Sequence, residues 1–447
     1  MRELPEGWEW TSISEIGEVV TGSTPSTKQP EYFGTSLPFY KPTDLDAGYC
    51  VTQARQSLSE LGESQCRVLP EMSILVTCIG ATIGKSGLAR KRCATNQQIN
   101  AIVPHRNFIN PSWLYWMMTS PDIQNEIISN SSSTTLPILN KSRFSLIEIP
   151  LPPLNEQKRI ADRLDQLLTS IDKTKAHLDR IPPLLKRFRQ SVLAAATSGK
   201  LTEEWREDGI RWSRTQIKDL CISIFDGPFG SNLKSDDYTN SGARVIRLEN
   251  LGHLKFIEEK TTYISLEKYE NLRKHTLQTS DIIFSSFVDE EMRACLFPNI
   301  EEISINKADC FCIRVNSELC NPEFLVLRLA CRTTFLDIQE LVHGVTRPRI
   351  NLKQLRQLLF DIPTLEEQQE IVRRVEALFV KADRIEAQYK NARQQVDRLT
   401  PALLAKAFRG ELVPQDPKDE PASVLLERVK EARSIAQPAK AKRKAVK

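Results

Sequence analysis

The 447-residue sequence predicts an α+β fold: two pseudo-symmetric globular domains joined by two long helices that form an antiparallel coiled coil. Three observations carry this reading. A shift of 211 residues lays 150–201 on 361–412 without a gap, and 15 of the 52 positions are identical. In both copies apolar side chains recur at alternating spacings of four and three, which puts one stripe on a helix that must find another helix. The stretches before each copy hold short β-like runs between turn residues and match each other only loosely. A period this long is too large for a solenoid, so each copy is a whole domain plus a connector.

The repeat divides the chain into a first domain (1–150), a first long helix (151–200), a second domain (201–362) and a second long helix (363–412). A packing segment (413–433) and a basic tail expected to be disordered (434–447) complete it. Candidate strands in the first domain are Val19–Thr21, Pro38–Lys41, Ser73–Cys78 and Asn100–Val103. In the second they are Ile222–Phe225, Arg244–Leu248, Asp281–Phe284 and Cys310–Val315. Each domain also has a helix opened by Asn-Pro, at Asn110-Pro111 and Asn321-Pro322. Asn is a good N-cap and Pro a good first helical residue.

The first seam runs Ile160, Leu164, Leu167, Ile171, Leu178, Ile181, Leu185, Phe188. The second runs Ile371, Val375, Leu378, Ile385, Tyr389, Val396, Leu399. Glu in each first turn suits the helix dipole, and Gly199 and Gly410 suit a left-handed cap at the ends. Pro182-Pro183 should kink or break the first helix.

Charge excludes a polycation: 61 Lys+Arg stand against 57 Asp+Glu. The small excess lies in the tail, which holds Lys440, Lys442, Arg443, Lys444 and Lys447. The two domains are slightly acidic, with 12 basic and 14 acidic residues in 1–150 and 21 and 25 in 201–363. The ten cysteines form no CxxC pair and the five histidines are scattered, so no metal site is expected. No apolar run reaches the ~18 residues of a membrane span, and a cytoplasmic protein with reduced thiols is expected.

Catalytic motifs fail on inspection. Gly80-Ala81-Thr82-Ile83-Gly84-Lys85-Ser86 has three residues between its glycines where a phosphate loop needs four, and reads as a turn. The Asn-Pro-x-aromatic sites lack the second proline of amino methyltransferases and recur at the 211 offset, as a helix-start device would. Glu258-Glu259-Lys260 lacks the upstream Pro-Asp of a nuclease site. What remains is recognition. Two related domains at opposite ends of paired helices could sit in successive major grooves, about 34 Å apart.

The stretches Ile149-Pro150-Leu151-Pro152-Pro153-Leu154-Asn155-Glu156-Gln157, Leu185-Lys186-Arg187-Phe188-Arg189-Gln190-Ser191-Val192-Leu193 and Ala407-Phe408-Arg409-Gly410-Glu411-Leu412-Val413-Pro414 now acquire a common meaning. With Leu4-Pro5-Glu6-Gly7-Trp8, the Gly80–Lys85 turn and the duplication, they resemble the specificity (S) subunit of Type I restriction-modification systems over nearly the whole chain. The second helix departs from the pattern, opening Pro363-Thr364 in place of Pro-Pro. The resemblance implies two target-recognition domains reading a bipartite asymmetric site on double-stranded DNA. It implies helices that set the spacer and dock two modification (M) subunits, with two restriction (R) subunits completing the complex. It places no cofactor on this chain; S-adenosylmethionine, ATP and Mg are expected on the partners. The alternative is a coiled-coil interaction scaffold that reads no DNA.

Major-groove readers are Arg, Lys, Asn and Gln. The candidates in the first domain are Lys85, Arg90, Lys91, Arg92, Asn96 and Gln97, taken as one cluster beside the Gly80–Gly84 turn. In the second they are Arg293, Arg347 and Arg349, with Lys234, Arg244 and Arg247 behind them.

Overall fold

The computed structural model describes residues 3–132, 136–206, 212–230, 232–342 and 348–436. The chain forms two compact units, Met1–Leu178 with Asn391–Lys447, and Asp179–Lys390.

The first unit contains β1 (Glu9–Ser12), β2 (Gly17–Thr21), β3 (Leu37–Tyr40), β4 (Ile74–Thr77), β5 (Ser86–Leu88), β6 (Cys93–Thr95), β7 (Ile99–Pro104) and β8 (Glu148–Leu151). The second contains β9 (Ser213–Gln216), β10 (Cys221–Phe225), β11 (Ala243–Ile246), β12 (Ile282–Ser285), β13 (Ala294–Leu296), β14 (Ser304–Asn306), β15 (Cys310–Val315) and β16 (Leu359–Ile362). Two-residue strands extend the smaller sheets. The central sheets coincide in topology, while the smaller sheet has five strands in the first unit and four in the second. The central sheets are ordered β2-β7-β4-β5 and β10-β15-β12-β13, all antiparallel. In each smaller sheet one pair is parallel, β3 with β6 and β11 with β14. β1 pairs with β8, and β9 with β16. The strands β4 and β12 are buried throughout, including their last residues Thr77 and Ser285, as short, mostly apolar runs should be when both faces are covered.

The helices are α1 (Pro111–Met118), α2 (Pro121–Ser129), α3 (Leu154–Leu178), α4 (Ile181–Thr197), α5 (Pro322–Ala330), α6 (Arg332–Leu341), α7 (Leu365–Ala407) and α8 (Ala422–Ala436). The Asn-Pro device works as its chemistry requires. Asn110 Oδ1 accepts from the Trp113 N–H at 3.0 Å, and Asn321 Oδ1 from the Glu323 N–H at 2.7 Å. Trp113 and its repeat partner Phe324 are both fully buried; removing a ring of this kind costs about 3–5 kcal/mol.

The recurring Glu-Gln pair ties each long helix to its domain. The Gln157 side chain accepts from the Asn110 N–H at 2.9 Å and donates to the Pro152 carbonyl at 3.0 Å. Gln368 does the same with Asn321 at 2.7 Å and Pro363 at 2.9 Å. Trp8 Nε1 donates to Glu156 at 3.0 Å, and Trp212 Nε1 to Glu367 at 3.2 Å. A side chain that pairs buried backbone groups across distant segments is costly to replace, because each orphaned group keeps its desolvation penalty.

The long helices pair antiparallel within each unit. In the first, Lys175 of α3 meets Asp397 of α7 at 3.3 Å, while Arg159, nearer the start of α3, meets Asp419 beyond the end of α7 at 2.7 Å. Ile160, Leu164, Leu168 and Ile171 share a core with Leu404, Ala407 and Phe408. In the second, Arg189 of α4 meets Asp383 at 2.6 Å and Glu386 at 2.8 Å, and Val192, Leu193 and Ala196 share a core with Ile371, Val372 and Val375.

The seam departs from expectation at three places. Phe188, Ile385 and Leu399 are 40%, 46% and 46% exposed, and Leu167, Leu178, Ile181, Leu378, Tyr389 and Val396 are only half-buried. The chain leaves helical geometry at Asp179-Arg180, so Pro182 and Pro183 fall in the first turn of α4, where a missing N–H is harmless. Within α4 burial stays on the seam residue Leu185 and continues at Val192, Leu193 and Ala196. Gly199 and Gly410 take φ of +80° and +76°, the left-handed caps expected of them.

Candidate nucleic-acid interface

Strand register decides which loops meet. In the first unit Ile99 pairs with Thr77 and Asn100 with Thr21. The segment leaving β2, the turn joining β4 to β5 and the turn entering β7 therefore converge at one end of the central sheet. The parallel pair adds the segment after β3, because the Asn96 N–H donates to the Tyr40 carbonyl at 3.2 Å. In the second unit Ser285 pairs with Cys310 and Phe225 with Cys312, and the Lys307 N–H donates to the Ile246 carbonyl at 2.9 Å. The same four connections converge there. A fifth joins them in both units: the Gly80 N–H donates to the Pro137 carbonyl at 3.0 Å and the Leu139 N–H to the Cys78 carbonyl at 2.8 Å, as the Val288 N–H does to Pro348 at 3.0 Å and the Ile350 N–H to Ser286 at 2.9 Å.

Close approach holds these ends together. A Cβ on Gly22 would lie 2.1 Å from the Asn96 carbonyl, and one on Gly227 would lie 2.3 Å from the Asn306 carbonyl. Only glycine permits a loop to lie that near another backbone.

The first end holds Lys85, Asn96 and Gln97. Lys85 Nζ is 2.5 Å from Asp46. Asn96 is buried, and its Nδ2 donates to Gln98 Oε1 at 2.8 Å. Gln97 is exposed and accepts a hydrogen bond from the Thr24 hydroxyl. The second end holds Arg293, beside Asp289 at 3.2 Å, and Arg349. The Arg349 guanidinium lies 4.0 Å from the Phe287 ring centre and 3.2 Å from Asp309, an exposed cation anchored by a ring as well as by a charge. Arg247 follows β11 directly and lies 5.7 Å from the Tyr238 ring centre. Lys234 is exposed on the segment leaving β10. Arg347 lies outside the described residues.

Two sequence expectations are corrected here. Arg90, Lys91 and Arg92 do not share an end with Lys85, Asn96 and Gln97. β5 is three residues long and runs back along β4, with Ser86 opposite Val76 and Leu88 opposite Ile74. It delivers Arg90 to the far end of the sheet, where Arg90 bonds the Tyr49 carbonyl at 3.1 Å and lies 4.4 Å from the Tyr49 ring centre, and Arg92 pairs with Glu63. Arg244 is 5% exposed, and its guanidinium donates to the carbonyls of Glu258 at 2.9 Å and Lys260 at 3.4 Å. It is a structural cation at the end of β11 away from the loop end.

Two residues at these ends escaped the sequence reading. Lys41 follows β3 as Arg247 follows β11, and its Nζ donates to Gln56 at 2.8 Å. Lys307 Nζ donates to the Tyr238 hydroxyl at 2.8 Å and lies 5.4 Å from that ring centre. The signal that could have found them is positional, since each stands at a strand terminus in a recurring order of strands.

Little here suits bond-making chemistry. Among the described residues no group of three His, Cys, Asp or Glu side chains is placed to hold a metal ion. Burial pushes the Cys78 and Cys93 thiols up to about 12, and those of Cys295 and Cys320 equally, which removes the thiolate a nucleophile needs. Burial also raises Cys331, but the Arg328 guanidinium and the Thr333 and Thr334 hydroxyls outweigh it and hold the thiol below its ordinary value; it is itself fully enclosed. The Gly80–Lys85 stretch is the hairpin turn between β4 and β5. No helix among the described residues is long and apolar enough to cross a membrane.

Comparison with known proteins agrees with this arrangement of parts. The family described as Type I restriction modification DNA specificity domain matches twice, over residues 5–182 and 211–392. The specificity subunit of the Type I restriction enzyme StySPI from Salmonella potsdam is 32% identical, with 99% of each chain covered. That of EcoKI from Escherichia coli K12 is 29% identical, again over 99% of each. Among solved structures, a chain of a type I R-M system superposes with a TM-score of 0.71 at 18% identity, covering 92% of this chain and 100% of its own. The HsdS subunit from Thermoanaerobacter tengcongensis gives 0.61 at 18% identity, covering 92% and 99%. At that identity the structures speak for the fold alone.

Proposed function

The chain belongs to the Type I restriction modification DNA specificity family, and on that premise we propose how its two recognition domains are used. Each loop end reads one half of a bipartite, asymmetric site on duplex DNA. The long helices set the unspecified spacer and dock two modification subunits. Those partners carry S-adenosylmethionine and methylate adenine, and two restriction subunits supply ATP- and Mg-dependent cleavage. This chain performs no bond-making step itself, and the complex works in the cytoplasm.

The observation that carries the reading is the pairing of one central-sheet topology with different chemistry. The same connections converge in both units, yet the equivalent turns carry Asn96, Gln97 and Gln98 in one and Lys307, Ala308 and Asp309 in the other. Matching central sheets with unlike tips are what two unlike half-sites demand. Exposed Leu184, Phe188, Val380 and Ile385 leave an apolar face on the helices of the second unit, which supports a protein partner there. Because both domains are slightly acidic overall, the chain alone binds DNA weakly and gains affinity when partner subunits dock.

Footprinting of the reconstituted specificity and modification complex tests this. Two protected half-sites separated by an unprotected spacer are expected. A single contiguous footprint, or protection independent of sequence, refutes it.

A further inference from the structure

We infer that the two recognition ends are matched to different base pairs: Gln97 reads the adenine of an A·T pair in one half-site, and Lys307 reads the guanine of a G·C pair in the other. This rests on the DNA-reading function proposed above and adds the chemistry of each half-site.

The turns 96–98 and 307–309 are structural equivalents. Each links the strand of the parallel pair to the long strand of the central sheet, β6 to β7 and β14 to β15. Each opens with an N–H bonded to the last carbonyl of the neighbouring parallel strand, and each lies under a closely packed glycine. Whatever the first turn presents to a duplex, the second presents from the same place on its own frame. The residues themselves differ completely: Asn96-Gln97-Gln98 against Lys307-Ala308-Asp309.

In the first turn Asn96 and Gln98 satisfy each other, at 2.8 Å between Nδ2 and Oε1. Gln97 alone is exposed. The Thr24 hydroxyl donates to its Oε1. One oxygen lone pair and two N–H donors remain. That set matches the N6 donor and N7 acceptor of adenine and mismatches guanine, which offers two acceptors in the major groove.

In the second turn the Lys307 ammonium has three donors and no acceptor. One is used by the Tyr238 hydroxyl at 2.8 Å, which puts the ammonium at the hydroxyl edge of that ring, 5.4 Å from its centre. Two donors remain for the O6 and N7 acceptors of guanine. The Arg247 guanidinium, 5.7 Å from the same ring, adds to the positive potential at this spot. Tyr238 is a positioning residue here: it aims the ammonium without meeting the base.

The test uses the full chain assembled with its modification subunits. Single-molecule sequencing of methylated host DNA first defines the wild-type bipartite motif. Duplexes with each half-site position varied singly are then methylated by complexes carrying Gln97→Ala, Lys307→Ala, Lys307→Gln or Tyr238→Phe. Gln97→Ala should lower discrimination by about tenfold at one A·T pair of one half-site and leave the other half-site intact. Lys307→Ala should do so at one G·C pair of the other, and Lys307→Gln should move the preference at that position toward A·T. Tyr238→Phe should loosen the same G·C position while keeping the ring. The untouched half-site reports in every case that the variant is folded. Uniform weakening over all sequences, as for a phosphate contact, or relaxation at the opposite class of base pair, overturns the inference alone. A wild-type complex with no bipartite motif overturns it together with the function on which it rests.

Discussion

Val413→Thr should stabilise the first unit, and the reason lies in the repeat. In the second unit Glu367 accepts from Trp212 at 3.2 Å and also from the Thr202 hydroxyl at 2.7 Å. A shift of 211 turns Glu367 into Glu156 and Thr202 into Val413. Glu156 keeps its tryptophan, Trp8 at 3.0 Å, but its Oε1 is buried with no partner, while Val413 packs against the same core. A hydroxyl delivered to a buried carboxylate contributes about 1.5–3 kcal/mol. For a unit of this size that raises the unfolding midpoint by about 3–12 °C, at roughly 2–4 °C per kcal/mol. The pH dependence gives a second reading. Burial raises the Glu156 carboxyl above its ordinary 4.5, and the Trp8 hydrogen bond only partly offsets it. With a folded value above the unfolded one, stability from this group is fully present below 4.5 and declines as pH rises through the folded value. Calorimetry of wild type and Val413→Thr between pH 4 and 8 should show the variant's advantage growing as pH rises through that window. An unchanged or lowered midpoint at pH 7 would refute the argument, as would a Thr202→Val variant with no loss in the second unit.

Other expectations follow from the same contacts. Gln368→Ala orphans the Asn321 N–H and the Pro363 carbonyl and should cost the second unit about 2–4 kcal/mol; denaturant unfolding followed by Trp fluorescence measures it, and a loss under about 0.5 kcal/mol rejects the clamp. Phe188→Asp on the exposed helix face should leave the unfolding midpoint within about 2 °C while reducing co-purification with modification subunits by about tenfold. Equal recovery of the partner would remove that face from the docking surface. Native thiol titration at pH 8 should label Cys50 first and Cys66 and Cys221 slowly, with the other seven reacting only on unfolding. Rapid labelling of Cys310 or Cys312 would contradict their burial.

Much of this architecture was legible in residue order. The 211-residue repeat, the Asn-Pro helix starts and the apolar periodicity are local patterns, and the strands Val19–Thr21, Asn100–Val103 and Cys310–Val315 lie within or coincide with those observed. The site was legible only in part. Arg90–Arg92 were grouped with Asn96 and Gln97 because they are near in sequence, but a three-residue strand between turns sends neighbours to opposite ends of a sheet. Lys41 and Lys307 were passed over because the parallel pairing that places them joins residues far apart in the chain. Phe188, Ile385 and Leu399 fit a heptad by spacing, yet spacing cannot say where a second helix covers the stripe.

Sequence alone therefore determined what depends on neighbours a few residues apart: the helix caps, the apolar stripes and, by direct comparison along the chain, the repeat. Tertiary structure decided which side chains share an end of a sheet, which cations are buried on carbonyls, as Arg244 is, and which are exposed beside a ring and a carboxylate, as Arg349 is. The physical reason is that a strand's direction and partner are set by hydrogen-bond register over long separations. A side chain's availability to DNA follows from that register and not from its place in the chain.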